Sequence, residues 1–487
     1  MTRLSATSRI GPAVTAPGYE PRSHATGIVH IGVGAFHKAH QAVYTDSALA
    51  AAGGDWRIIG VSLRSADVAA ALNPQEGRYI LITRDEAGDS AQLISSIDRV
   101  LVAPDDPQAV IEAIADPATK IVTLTVTEKG YGIDRASGGL DRSHAAVAHD
   151  LANPEKPVGV IGFLVAGLSA RMERGIGGLT ILCCDNLPEN GHITARLVTE
   201  FAAQIDEKLA TWISDEVRFP SSMVDRITPA STARTFEDAQ RLSGYADEAA
   251  VETEPFTQWV IEDNFRAERP AWESAGALFV DDVAPYEQMK LRLLNGTHSM
   301  LAYAGYLAGH ETISEAVRDT GLHALAERQM IAAATTLPPV PGIDLDAYRA
   351  QLLARFSNRA IRHLTYQIAM DGTEKLPQRI LAPLAETVKL GGDGTPFCFA
   401  IAAWMRYCMG VSDKGETYAL RDPREHLIAP RVEAAGRDPA LLYDALSSLP
   451  GLFPPALAGN ETVRACVVSL LASLLENGMA GAIAQQN

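Results

Sequence analysis

Between residues 27 and 183, short apolar runs alternate with stretches of helical periodicity. The runs at 28–33, 58–63, 79–83, 93–102, 121–127 and 179–183 are rich in Val, Ile and Leu and read as strands. Helical spacing fills 39–51, 108–115 and 158–174 between them. Strands joined by helical crossovers predict an α/β, doubly wound, mainly parallel sheet with helices on both faces, which binds ligands beyond the carboxyl ends of its strands. From residue 286 the strand pattern fades. Helical patterns cover 286–308, 324–334, 345–356, 397–409 and 463–475, broken by turn formers at 338–342, 391–396 and 449–455. The expected organisation is an extended arm over 1–24, with Pro12, Pro17 and Pro21, an α/β domain over 25–285 and a mostly helical domain over 286–487.

The first strand runs into a glycine turn, G-I-V-H-I-G-V-G-A-F-H-K-A-H at 27–40. Gly32 permits the turn, and Gly34 lets a phosphate approach the backbone at a helix start, as in a Rossmann-like dinucleotide-binding domain. His37 stands where the third glycine of the fingerprint belongs, and a bare G-x-G also suits an ordinary turn. After the second strand, Asp67 is an acidic candidate for the adenosine ribose hydroxyls of NAD. Arg64 lies between strand and acid, so NADP stays open; an exposed loop is the plain alternative for both. The T-V-T-E segment (125–128) and C-D-N segment (184–186) fall at the sheet's carboxyl ends, where a nicotinamide would lie.

In the helical half, Lys290, Asn295 and His298 sit in Y-E-Q-M-K-L-R-L-L-N-G-T-H-S at 286–299. On an α-helix, Asn295 falls roughly 140° from Lys290 and His298 roughly 80°, between the other two. All three can face one cavity. A lysine buried there loses hydration, and its pKa falls from about 10.4 towards a value suited to proton transfer. The same spacing also fits a partly exposed helix with solvated polar residues.

Composition narrows the function classes. A length of 487 residues implies two or three domains, and 47% hydrophobic with 21% charged residues describes an ordinary globular protein. The net charge of −17 argues against sequence-independent binding to nucleic acid or to an anionic membrane. No apolar core of signal-peptide length opens the chain, and no later segment reads as apolar long enough to span a bilayer. Five cysteines form neither an even framework nor a C-x-x-C pair, which points to reduced thiols in a cytoplasmic protein. His37 and His40 form an H-x-x-H pair without cysteines or carboxylates at ligand spacing, so no metal is expected. No repeat or heptad series is evident, and none assigns an oligomeric state.

Seven motifs occur in order: I-G-V-G-A-F-H-K-A-H-Q, L-T-V-T-E-K-G-Y, C-D-N-L-P-E-N-G, M-V-D-R-I-T-P, E-P-F-T-Q-W-V-I-E-D-N-F, the K-x4-N-x2-H helix and D-G-T-E-K-L-P. Together they resemble the polyol-specific long-chain dehydrogenases, the mannitol dehydrogenase family, which includes fructuronate reductases. The resemblance implies a metal-independent, NAD-dependent enzyme acting on a linear polyol or sugar acid, mannitol to fructose leading and mannonate to fructuronate second. A cofactor-binding sensor of the same fold is the non-enzymatic alternative. The resemblance makes Lys290 the general acid–base, Asn186 and Asn295 the amides at the reacting oxygen, His298 its orienter and Glu287 a gate for proton exchange. It puts Gly32, Gly34, Phe36, His37, Arg64, Asp67, Thr125 and Glu128 at the cofactor, and Val224, Asp225, Gln367 and Lys375 at the substrate. Gln367 departs from the arginine that mannitol dehydrogenases can carry there. Arg362, His363, Lys375 and Arg379 suit a substrate carboxylate or, equally, a solvated helix face.

Overall fold

Eleven strands are described in the computed structural model, which covers residues 2–134 and 137–486: β1 (Thr26–Ile31), β2 (Arg57–Ser62), β3 (Tyr79–Thr83), β4 (Ser90–Ile94), β5 (Ile97–Val102), β6 (Ile121–Leu124), β7 (Thr180–Cys183), β8 (Ser222–Asp225), β9 (Val251–Thr253), β10 (Gln258–Glu262) and β11 (Leu278–Val280). The main sheet has the order β5-β2-β1-β6-β7, parallel throughout. Strand order reverses between β1 and β6, the switch point at which such sheets open a ligand crevice.

Alternate strand residues feed two cores, as a two-residue side-chain period dictates. Val29, Ile31, Val61, Val122 and Ile181 pack with Val110, Leu164, Leu168 and Val198 from the helices Pro107–Ala115, Val160–Glu173 and Asn190–Ile205. Ile28, Ile58, Val100, Ile121 and Leu182 share the opposite core with Tyr44, Trp259 and Trp272.

The apolar run at 93–102 is not one strand. It divides at Ser95 and Ser96 into β4 and β5, which belong to different sheets. The Ser95 amide donates to Asp46 Oδ1 (2.8 Å) and the Ser96 hydroxyl to the Ala42 carbonyl (2.7 Å), so buried polar partners turn the chain where hydropathy runs on. Likewise β3 lies outside the main sheet, in a β4-β3-β9 sheet. The helix expected at 39–51 breaks at His40 into Ala35–Ala39 and Gln41–Ala52. The small β11-β10-β8 sheet was unforeseen, because its strands are only three to five residues long. The N-terminal arm is bound rather than free: Leu4 and Val14 are buried, with bridges Arg3↔Ala246 and Thr15↔Gln92.

The chain divides into two compact units, Met1–Ala284 and Pro285–Asn487. The second is built of helices. Its Gly296–Ala308 helix is buried along almost its whole length and packs on the helices Ile313–Arg318, Thr320–Ala334, Thr365–Ala369 and Thr395–Tyr407. The last helix, Glu461–Gln485, corrects the expectation that no segment is apolar and long enough to cross a bilayer: it meets that description by length and composition. Yet Gly478 (φ 69°, ψ 172°) interrupts it, and Val467, Leu471 and Leu474 are buried on the side that packs against Thr395–Tyr407.

Candidate functional site

In the first unit, β1 ends in the glycine turn at the switch point. Gly32 has φ 102°, and a Cβ there would stand 2.2 Å from the Thr125 carbonyl, so only glycine lets the turn pass the end of β6. The Thr125 hydroxyl donates to the Gly32 carbonyl (2.8 Å), and His30 Nε2 lies 2.9 Å from the same hydroxyl. Gly34 is exposed at the start of Ala35–Ala39, and a Cβ there would find nothing nearer than the Gly32 carbonyl at 3.8 Å. That opening beside a helix start fits a phosphate approaching the backbone.

Phe36 is half-buried and stacked on His40 (5.0 Å between centroids). The His37 ring is fully buried and stacked on that of His30 at 3.4 Å. Burial holds both imidazoles neutral, His30 down to about 3 and His37 well below the usual range. Asp67 and Arg64 are exposed beyond β2, where the Ser65 hydroxyl donates to Asp67 Oδ2 (3.0 Å).

At the ends of β6 and β7, Asp185 fastens the loop that carries Thr125 and Glu128. Its Oδ2 accepts from the Val126 amide (2.9 Å) and the Tyr131 hydroxyl (2.7 Å), and its Oδ1 from the Thr127 amide (3.0 Å). Thr127 has φ 72° and ψ 153°, a region nearly reserved for glycine, which costs a β-branched residue about 1–3 kcal/mol. Asn186 and Glu128 are exposed on either side of this clamp. Asn190 is buried and ties the same segment to β8: its Nδ2 donates to the Asp185 and Ser222 carbonyls, and its Oδ1 accepts from the Ser222 amide. Val224 and Asp225 are buried on β8, paired across the sheet with Trp259 and Gln258. Both Asp185 and Asn190 lie inside the C-D-N-L-P-E-N-G motif, the only signal that marked them.

In the second unit, Lys290–Asn295 is a π turn, not α-helix. A hydrogen bond from i to i+5 makes five residues roughly one turn. Asn295 therefore returns to the side of Lys290 instead of lying 140° away, and His298, three residues into the following α-helix, stays on that side. The π turn packs against a second one, Pro377–Leu381. Gly296 allows this approach, since a Cβ there would lie 2.7 Å from the Arg379 carbonyl. Behind the turn, Arg292 holds Glu386 with both nitrogens (2.6 and 2.8 Å) and donates to the Thr336 carbonyl (2.6 Å).

Lys290 is buried and Glu287, one turn earlier, half-buried. Asn295 Oδ1 and His298 Nε2 are shielded from solvent with no hydrogen-bond partner among the described residues. Buried polar atoms left in this way are what a ligand hydroxyl would satisfy. His298 stacks on Phe356 (5.1 Å) and meets His363 edge-on (4.6 Å). Burial first, then the neighbouring His363 ring and the positive charge of Arg379, Arg355 and Lys375, keeps its imidazole neutral. Lys375 donates to the Ile368 (3.1 Å) and Met370 (2.6 Å) carbonyls, whereas Gln367 is exposed on the Thr365–Ala369 helix.

These imidazoles set an acid limit on stability. His363 is pushed down to about 4 by burial, so between about pH 6.5 and 4 the unfolded chain binds the proton that the folded one refuses. Its contribution is whole above pH 6.5 and is lost as pH falls through that window. His363→Phe should shift the acid midpoint of unfolding, followed by circular dichroism, to lower pH.

Among the described residues no group of three or more His, Cys, Asp or Glu side chains is placed to hold a metal ion.

Two family models match the chain: the mannitol dehydrogenase Rossmann domain over residues 26–274 and the mannitol dehydrogenase C-terminal domain over 282–449. The chain is 41% identical over 473 residues to a D-mannonate oxidoreductase of Escherichia coli K12, covering 96% of each. It is 38% identical to a mannitol 2-dehydrogenase of Aspergillus fumigatus, over 96% of this chain and 95% of that one. Its structure matches that of Pseudomonas fluorescens mannitol 2-dehydrogenase, solved as a ternary complex with NAD and D-mannitol, with a TM-score of 0.89 and 37% identity over 100% and 99% of the two chains. With both halves matched by family models and the relatives covered nearly end to end, the chain belongs to the mannitol dehydrogenase family and is a dehydrogenase acting on CH–OH groups.

Proposed function

We propose that the protein interconverts a secondary alcohol of a linear polyol and its ketose with NAD, D-mannitol and D-fructose being the leading pair. The observation that carries this reading is the π turn, which returns Asn295 to the side of a buried Lys290, with Asn295 Oδ1 and His298 Nε2, which have no hydrogen-bond partner among the described residues, nearby along the same helix. Lys290 takes the hydroxyl proton as the alcohol is oxidised, and Glu287 passes it on to solvent. The neutral His298 ring orients the reacting oxygen, and the carboxamides of Asn295 and Asn186 stabilise negative charge growing on it. When bound, the nicotinamide accepts the hydride. Gly32 and Gly34 shape the turn for its phosphates, Asp67 receives the ribose hydroxyls, with Arg64 beside it, and Phe36, Thr125 and Glu128 border the rest. Val224, Asp225, Gln367 and Lys375 line the polyol chain, and no metal takes part. All five cysteines are free thiols, which suits a cytoplasmic enzyme.

One observation favours a second reading, oxidation of D-mannonate to D-fructuronate: Arg379, Arg355 and Lys375 place positive charge around His298, where a substrate carboxylate would be compensated. A panel of hexitols, pentitols and aldonic acids, each with NAD and NADP, decides by the absorbance of the reduced cofactor. Turnover of mannitol above mannonate supports the first reading and the reverse order the second. No turnover of any member rejects both.

A further inference from the structure

The Asp185 clamp and the left-handed Thr127 share one loop, and neither has a role in the chemistry above. We propose that Asp185 is a positioning residue: by accepting from the Val126 and Thr127 amides it holds that loop in a shape the backbone would otherwise leave, and so presets the cofactor-facing end of β6. The inference rests on the reading of Thr125 and Glu128 as cofactor neighbours.

Three features support it. First, Thr127 is exposed, so no packing of its side chain explains its conformation (φ 72°, ψ 153°); the bond from its amide to Asp185 Oδ1 (3.0 Å) does. Second, the carboxylate cannot turn away. The buried Tyr131 hydroxyl donates to Oδ2 at 2.7 Å, and Tyr131 is itself fixed beside Cys183 Sγ at 3.0 Å. Third, the bonded amides follow directly on Thr125, whose carbonyl stands against Gly32 and whose hydroxyl reaches the Gly32 carbonyl. A movement of the Val126–Thr127 peptide is therefore passed straight to the glycine turn. Asp185 also precedes Asn186, so one side chain sets the direction of both strand ends.

The test is a double-mutant cycle on cofactor affinity. Asp185→Asn presents an N–H to one of the amides that the carboxylate accepted, so NADH binding, followed by fluorescence titration, should weaken about 10-fold. Thr127→Gly removes the backbone conflict, and in that background the same Asp185→Asn change should weaken NADH by no more than about 2-fold, because glycine keeps the loop shape without being held. Equal losses in the two backgrounds would overturn the proposal, as would a loss that only follows a lowered melting temperature. If Asp185→Asn does not fold, Tyr131→Phe takes its place in the cycle, with about a 3-fold loss expected and the same rescue. The wild-type chain separates the two levels of inference. Failure to bind NADH at all rejects the cofactor reading, whereas normal binding without coupling rejects only the role of Asp185.

Discussion

Lys290→Ala lowers kcat for alcohol oxidation by about 10²–10⁴-fold, the range expected when a positioned proton acceptor is removed. Alanine is the best helix former and leaves the π turn its backbone hydrogen bonds, so the change tests chemistry rather than folding. NADH affinity and melting temperature should stay close to wild type, since the residues read as cofactor contacts lie in the other unit. Partial recovery with added primary amines would identify the missing group as a base. Activity within 10-fold of wild type would remove Lys290 from the mechanism and leave His298 as the next titratable group on that side of the helix. Because burial keeps His298 neutral, it offers no positive charge to an alkoxide and acts through hydrogen bonding alone.

The second large effect falls on the glycine turn. Gly32→Ala forces a Cβ to within 2.2 Å of the Thr125 carbonyl at φ 102°, a clash with backbone that no side-chain rotation relieves. We expect about 3 kcal/mol or more of destabilisation by urea unfolding, together with loss of measurable NADH binding. Gly34→Ala makes a useful contrast. No protein atom crowds that position, so stability should change by less than about 1 kcal/mol while NADH weakens, because the methyl enters the space read here as the phosphate's. If Gly34→Ala left cofactor affinity untouched, the phosphate reading of the turn would fail.

Much of this organisation was legible in the sequence, for identifiable reasons. Val, Ile and Leu runs buried on both faces announced β1, β2, β6 and β7, and the glycine turn marked the switch point between β1 and β6. The Ser95–Ser96 break was not legible, since it depends on acceptors supplied by Asp46 and Ala42, about fifty residues away. The surroundings of His37 were hidden for a similar reason. Its place in the glycine fingerprint said nothing of the His30 ring against which it stacks. Lys290, Asn295 and His298 were singled out by their spacing, but with the wrong angular rule, because periodicity assumes an α-helix and a single π turn leaves no mark in hydropathy. Asp185 was visible only as a letter in a motif; its work became readable once two amides and a phenol converged on it.

The wide turn at Lys290–Asn295 also lets this helix carry one residue more than an ordinary α-helix without changing which way its ends face. Five residues complete roughly one turn there, where four α-helical residues cover about 400°. Deleting one residue from it, Leu293 for example, would let ordinary α-helix run through with the lysine and the amide four apart, about 40° from one another. The extra residue is thus absorbed as slack in the winding rather than as a rotation, and alignments of related chains at this segment are better judged by azimuth than by column.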